Sequence, residues 1–237
     1  MSDDNDDKNI IGFDQKRKEI LKKQKEELKA AKKSSDNPPM FNIPEGTKYF
    51  LGVLIAIHII LTLFLPENIQ EWIIYHLGFV PARFTDSNMV EPLQIITPFT
   101  HMFLHGSWLH IGMNGFMLLA FGAGLEKMIG TKKMIQIFFI SGLFGVALHF
   151  ALNLYSFDPV IGASGGLSGM FAAVLVLLNR QNSGMTGRYG IMPFIALWIG
   201  ISVIFGMMGS PDGNAIAWAA HIGGFLGGFA ALKILKI

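Results

Sequence analysis

The chain has 237 residues, of which 51% are hydrophobic and 15% charged, with 27 glycines, a formal charge of +2 and no cysteine. That apolar and glycine content exceeds what a soluble domain of this length carries, so the solvent for most of the chain is lipid. The lack of cysteine excludes disulfides, thiol nucleophiles and thiolate metal sites, which leaves hydroxyls, imidazoles and carboxylates to supply any chemistry.

Residues 1–46 read as a cytosolic basic helix followed by a Pro-containing linker, ahead of a membrane domain over residues 47–237. An acidic cluster (Asp3, Asp4, Asp6, Asp7) leads into Lys16 to Lys33, where Glu19 and Lys23, and Lys22 and Glu26, stand four apart and can pair along one helix face. Such a segment has too few apolar residues for a core and suits the surface of anionic lipid. Pro38, Pro39 and Pro44 stiffen the approach to the membrane. No short apolar run with a small-residue cleavage site precedes the first span, so that span is expected to direct insertion.

Six segments are apolar enough, or nearly long enough, to span: Tyr49 to Leu65, Trp108 to Leu125, Met134 to Leu154, Gly165 to Leu178, Ile191 to Met208 and Ala217 to Leu235. The expected fold is all-α, a polytopic six-helix bundle. The fourth segment makes only about 21 Å of helix at ~1.5 Å per residue, so one of its ends should meet a water-filled cavity inside the protein. Lys and Arg supply an independent test. One set of alternate loops holds the eleven before residue 49, then Lys127, Lys132, Lys133, Arg180, Arg188, Lys233 and Lys236, whereas the other holds Arg83 alone. Eighteen against one places both termini in the cytosol. The first outer connection, residues 66–107, carries Trp72, Ile73, Ile74, Tyr75, Leu77, Phe79 and Val80, and reads as an amphipathic loop with short helices in the membrane surface.

Polar residues inside spans are costly, which makes them candidates for function. On this topology the second, fourth and sixth spans all start at the outer face, and three polar sets lie near those starts. His110 and Asn114 are one turn apart on one face of the second span, Ser164 lies in Gly162-Ala163-Ser164-Gly165, and His221 lies about a turn into the last span. Each has a plain alternative. A span serine often bonds back to its own turn, and a span histidine or asparagine often bridges two helices. Glycines favour the sharper reading. Gly162, Gly165 and Gly166 permit close approach and unusual torsions beside Ser164, and Gly224 and Gly228 have the spacing that brings two helices into backbone contact. Gly162 to Gly166 also fits G-x-S-x-G, but the soluble hydrolase elbow needs a preceding strand and a surrounding sheet, which membrane helices do not provide.

Over roughly residues 47–235 the chain resembles the rhomboid intramembrane proteases. The resemblance rests on His105-x4-His110-x3-Asn114, Gly122-x3-Glu126-x3-Gly130, Gly162-Ala163-Ser164-Gly165 and Ala220-His221-x2-Gly224-x3-Gly228, in family order. It implies Ser164 as nucleophile, His221 as general base, His110 and Asn114 as side chains of the oxyanion hole, His105 as an organiser of the outer loop and Glu126 as a structural acid. It also implies transmembrane protein substrates, cut near their outer ends beside small residues, and the fifth span as a mobile gate with Gly200 and Gly206 allowing it to bend. The chain departs from the family in two places. Pro81-Ala82-Arg83 stands in the first outer loop where many relatives carry Trp-Arg. A second G-x-S-G, Gly166-Leu167-Ser168-Gly169, overlaps the first; Gly169, five residues after Ser164, favours Ser164 as the nucleophile.

No carboxylate falls within a span at the depth of Ser164, since Glu126 is at the cytosolic end and Asp158 and Asp212 are in loops, so a Ser-His dyad is expected instead of a triad. Two membrane aspartates for an aspartyl protease are missing, and His101 and His105 enclose Phe103 and Leu104 in place of the H-E-x-x-H of a zinc protease. No metal, cofactor or nucleic acid is expected, and the lipid bilayer and membrane-protein substrates are the expected partners. The expected location is a bacterial cytoplasmic membrane. The alternative function is a rhomboid-like protein that binds membrane clients without cutting them.

Overall fold

The structure is a computed structural model that describes residues 17, 19–29, 42–181, 189–208 and 217–237. It divides into two compact units, Met1–Asn42 and Ile43–Ile237. In the first, residues 19–29 are helical and fully open to solvent, with Ile20, Leu21 and Leu28 exposed. The acidic cluster at Asp3 to Asp7, Lys16, Lys33, Pro38, Pro39, Arg188 and Asp212 lie outside the described residues.

The second unit is helical throughout, and its one extended pairing among the described residues is an isolated antiparallel bridge between Phe79 and Val160. Among the described residues, three helices are long and apolar enough to cross a membrane: α1 (Glu45–Phe64), α3 (Trp108–Ile129) and α4 (Thr131–Leu152). Between α1 and α3 runs the amphipathic helix α2 (Glu67–Leu77), started by Pro66 with Glu67 in its first turn, where a carboxylate complements the helix dipole. Short 3-10 turns over Pro81–Phe84, Ser87–Met89 and Pro92–Ile96 follow, with one α-helical turn at Thr97–Thr100. The remaining helices, α5 (Ser164–Arg180), α6 (Met192–Met208) and α7 (Trp218–Ile234), have 17 residues each. They are shorter than the roughly 20 residues a full span needs.

Two of the long helices are not uniformly α. α1 ends in a π-helical stretch, Ile60–Phe64, and α3 contains another, Leu118–Gly122. The side chain of Ser107 caps α3 by accepting from the His110 N–H at 3.1 Å. At the other end, Gly130, with φ of +82°, closes α3 and at once precedes α4. A single left-handed residue therefore turns the chain between two helices, which glycine adopts without the strain of a side chain.

Glu126, in the last turns of α3, ties this end of the bundle together. Its carboxylate accepts from the N–H groups of Gly46 (2.9 Å) and Thr47 (2.6 Å) and from the hydroxyls of Thr47 (2.7 Å) and Thr131 (2.7 Å). One carboxylate thus satisfies open amides at the start of α1 and holds the first residue of α4.

α7 packs against both α4 and α5, which also pack against each other, and glycine makes that position possible. On one face a Cβ at Gly224 would strike the carbonyl of Gly165, and one at Gly228 the carbonyl of Gly169. On the adjacent face a Cβ at Gly223 would lie 2.7 Å from Leu148 Cβ, and one at Gly227 2.6 Å from Phe144 Cβ. The backbones of α7 and α5 are therefore in direct contact, as small residues permit between membrane helices. α6 packs more lightly, through Phe194, Ile195 and Trp198 against Phe171, Phe225 and Phe229, while Leu197, Ile201 and Ile204 face outward.

Gly228→Val should therefore destabilise the fold by about 1–3 kcal/mol or more, since the added methyls meet backbone atoms that cannot rotate away. Gly52→Ala, where a Cβ meets nothing within 4 Å, should be neutral or stabilising by up to about 1 kcal/mol. Thermal unfolding of both variants in detergent measures the contrast.

Candidate active site

Ser164 is the first residue of α5, so its own N–H and those of Gly165 and Gly166 have no acceptor within the helix, and the first helical bond runs from the Leu167 N–H to the Ala163 carbonyl. The chain reaches it through Gly162, whose φ of +117° suits glycine alone. The Gly162 N–H donates to the His101 carbonyl at 2.8 Å, and two residues earlier Val160 exchanges both backbone hydrogen bonds with Phe79, at 2.8 and 3.0 Å. The segment entering the serine is thereby fixed to the connection between α1 and α3.

His221 lies in the first turn of α7, and its Nε2 is 2.8 Å from Ser164 Oγ. For the hydroxyl to donate, Nε2 must be the bare nitrogen and Nδ1 must carry the proton. No Asp or Glu among the described residues bonds to this imidazole. Both side chains are partly exposed, so the pair is open to solvent or to an incoming chain.

His110 and Asn114 face the same point from α3. A Cβ placed on Gly162 would lie 2.7 Å from His110 Nε2 and 3.6 Å from Asn114 Nδ2, so a side chain there would fill the space between them and the serine turn. Asn114 is 2% exposed and its Nδ2 has no hydrogen-bond acceptor among the described residues. A buried donor without an acceptor is costly, and this one lies beside Gly162, two residues before Ser164 in the chain, where a negative oxygen would satisfy it.

The overlapping Ser168 is fully buried one turn deeper, and its hydroxyl donates to the Ser164 carbonyl at 2.7 Å. Packing against a neighbouring helix is the role that spacing predicts for Ser168. The structure has the hydroxyl bond back to its own helix, leaving Ser164 as the serine that meets an imidazole. Gly165, Gly224 and Gly228 form the close α5–α7 contact described above, and Gly162 forms the turn. His105 is buried and stands edge-on to His110, with ring centroids 5.1 Å apart. No cluster of three metal-ligating side chains occurs among the described residues.

The connection between α1 and α3 packs around Arg83, whose partners the sequence alone does not reveal. Its side chain is fully buried, with the guanidinium 4.2 Å above the Tyr75 ring and one amine 3.8 Å from a Glu91 oxygen that also lies 3.5 Å from His76. Backbone and hydroxyl bonds then stitch the loop down: Ala82 N–H to the Ser156 carbonyl, Thr85 Oγ1 to the Leu154 carbonyl and Thr100 Oγ1 to the Leu77 carbonyl. The lone basic residue in a run of apolar ones was the available signal. Its partners lie in an irregular loop, where no periodicity could place them.

Two imidazoles of this loop are held uncharged. Burial, reinforced by the neighbouring His110 and His58, pushes His105 down to about 3, and burial pushes His101 down to about 4. In the unfolded chain both titrate near the ordinary histidine value of about 6.5. Folding stability is therefore full above that value and falls as the unfolded state takes up protons on acidification toward pH 4. Thermal midpoints measured between pH 7.5 and 4.5 should decline, and the double variant His101→Gln, His105→Phe should decline less steeply.

Residues 92–236 match the rhomboid family as a Rhomboid domain. The RHOMBOID-like protein 6, mitochondrial, of Arabidopsis thaliana is 35% identical over 137 residues, 57% of this chain and 42% of that protein. Rhomboid protease GluP of Bacillus subtilis is 31% identical over 146 residues, 61% of this chain and 26% of that protein. Rhomboid protease GlpG of Yersinia pestis is 33% identical over 145 residues, 59% of this chain and 48% of that protein. The chain thus spans less than half the length of each of these relatives. The match takes in Ser164, His221, His110 and Asn114 together with the helices that carry them, and on it the chain belongs to the rhomboid family of membrane proteins.

Proposed function

We propose that the chain is an intramembrane serine endopeptidase that cuts transmembrane segments of other membrane proteins near their outer ends, with Ser164 and His221 as a dyad. The observation that carries this reading is the 2.8 Å between Ser164 Oγ and His221 Nε2 at the head of α5, with the unpartnered Asn114 Nδ2 beside Gly162 in the turn that leads into it.

In the forward step Ser164 Oγ attacks the scissile carbonyl carbon while its proton passes to His221 Nε2. The carbonyl electron pair moves onto oxygen, and that oxyanion lies against Asn114 Nδ2, the His110 ring and the first-turn N–H groups of α5. As the tetrahedral species collapses, the C–N bond breaks, Nε2 returns the proton to the leaving amine and an acyl-Ser164 remains. Water attacking that ester, with His221 again as base, regenerates the serine. Positioned imidazole contributes about 10²–10⁴-fold and each oxyanion donor about 10²–10³-fold, so loss of the hydroxyl or imidazole removes most of the rate.

The topology we propose has six spans over residues 47–237, three of them the 17-residue helices, behind a cytosolic basic segment over residues 1–46. The bias of Lys and Arg supports it, with both termini in the cytosol. A short α5 fits a serine reached by water from the outer side. α6 is the element proposed to move aside for a substrate, since one face packs on the bundle and a Cβ at Gly200 meets nothing within 4 Å. A bacterial cytoplasmic membrane is the proposed location, in keeping with the relatives from Bacillus subtilis and Yersinia pestis; the Arabidopsis relative carries a mitochondrial name.

A fluorophosphonate probe tests the chemistry directly: an Oγ–P bond forms, P–F breaks, fluoride leaves and the hydroxyl proton goes to His221. The purified wild type should be labelled, Ser164→Ala and His221→Ala should not, and Asn114→Ala should be labelled about 10²-fold more slowly. Labelling that persists in Ser164→Ala and disappears in Ser168→Ala would overturn the assignment. An unlabelled but folded wild type would leave a protein that binds membrane clients without cutting them.

A further inference from the structure

His58 belongs to none of the motifs above and is 1% exposed near the end of α1. The buried residues of α1 and its π-helical extension are otherwise Thr47, Phe50, Leu54 and Leu61, so an imidazole among them carries a desolvation cost that an apolar side chain would avoid. Nothing in its hydrogen bonding repays that cost. Neither ring nitrogen of His58 or of His105 has a hydrogen-bond partner among the described residues. Each ring lies near a main-chain carbonyl, that of His105 for His58 and that of Phe103 for His105, without the alignment of a hydrogen bond.

What His58 does have is ring contact. Its plane stands edge-on to Trp108, with centroids 4.6 Å apart at 83°, and to His105 at 6.3 Å and 86°. His105 stands edge-on to His110 at 5.1 Å and 74°. Edge-to-face geometry sets the positive rim of one ring against the negative face of the next, so each ring's orientation depends on its neighbour's. Trp108 opens α3 two residues before His110, so His58 touches the helix that carries His110 as well as the ring beside it. The Thr62 hydroxyl donates to the His58 carbonyl at 2.8 Å, at the point where α1 passes into its π-helical stretch, which anchors the backbone beneath the ring.

We propose that His58 is a positioning residue of the active site, which through Trp108 and His105 holds the His110 ring at the place beside Gly162 where negative charge develops. The inference rests on the proposed protease function, because it is the oxyanion that needs His110 held still. It assigns α1 a part in the reaction although α1 contributes no group that touches substrate. The action runs through ring packing, so an aromatic side chain can replace His58 and an aliphatic one of similar size cannot.

The test uses the full-length chain in detergent with a fluorophosphonate, reading the maximal inactivation rate (kinact) and the half-saturating concentration (KI) per folded molecule. His58→Leu should lower kinact about tenfold with KI unchanged within about twofold, in line with the cost of small misplacements. His58→Phe should recover most of that loss. In a double-mutant cycle, His58→Leu added to His110→Ala should cost little more than His110→Ala alone, because both act on one group. If the two losses multiply, or if His58→Leu leaves kinact at the wild-type value, the positioning role is wrong while the protease reading stands. If His58→Leu does not fold, His58→Phe alone decides, since an aromatic replacement that folds and still loses tenfold contradicts action through ring packing. A folded wild type that is never labelled removes the protease reading and this inference together.

Discussion

The contact on which the rest of the molecule depends is the meeting of two bare backbones. α7 reaches Ser164 because Gly224 and Gly228 present no side chains to Gly165 and Gly169, so the helix carrying His221 lies against the helix carrying the serine with nothing between them. In lipid there is little hydrophobic drive to press helices together, and close packing of small residues takes its place. The adjacent glycines, Gly223 and Gly227, let α4 approach α7 from a second side. The meeting of Ser164 with His221 and the stability of the bundle rest in this way on the same interaction.

Around that axis the site is assembled from pieces that hold one another. Gly162 gives the entry to α5 its turn, the His101 carbonyl takes the Gly162 amide, and Phe79 pairs with Val160, so the serine is registered against the loop between α1 and α3. The loop in turn depends on Arg83, buried between Tyr75 and Glu91. The Tyr75 face and the Glu91 carboxylate offset part of the cost of keeping that guanidinium out of water, although none of its three nitrogens has a hydrogen-bond partner among the described residues. On the α3 side, His110 and Asn114 meet the same turn from a helix capped by Ser107. The proposed protease would have to exclude lipid from Ser164, and a loop fastened at several points is a direct way to do so.

Much of this was legible in the residues. The apolar runs located the helices to within a few residues, since lipid leaves few alternatives to a helix, and polar residues at a shared depth identified Ser164, His221, His110 and Asn114 as one group. The glycine spacing of α7 announced a close contact, and the contact is there. The limits were of two kinds. Glu126 reads as a structural acid, but its bonds to Gly46 and Thr47 cross about eighty residues of chain, and no periodicity encodes such a meeting. His58 and Arg83 each stand alone in apolar surroundings, so their partners became visible only once the helices and the loop were in place. Helix length was the other limit. α5, α6 and α7 are 17 residues each, and composition cannot say how a short helix meets the edges of a bilayer.

The junction at Gly130 has a consequence for how the protein is made. α3 stops and α4 starts on the two sides of one residue, so these two long apolar helices form a hairpin with no slack. The Thr131 hydroxyl donates to Glu126 across that single residue, so the end of α3 can hold the start of α4 as soon as Thr131 has emerged. An insertion between the two helices, harmless in most surface loops, would here change the rotation of α4 about its axis and carry Gly142 and Gly145 away from the neighbours they were shaped to meet.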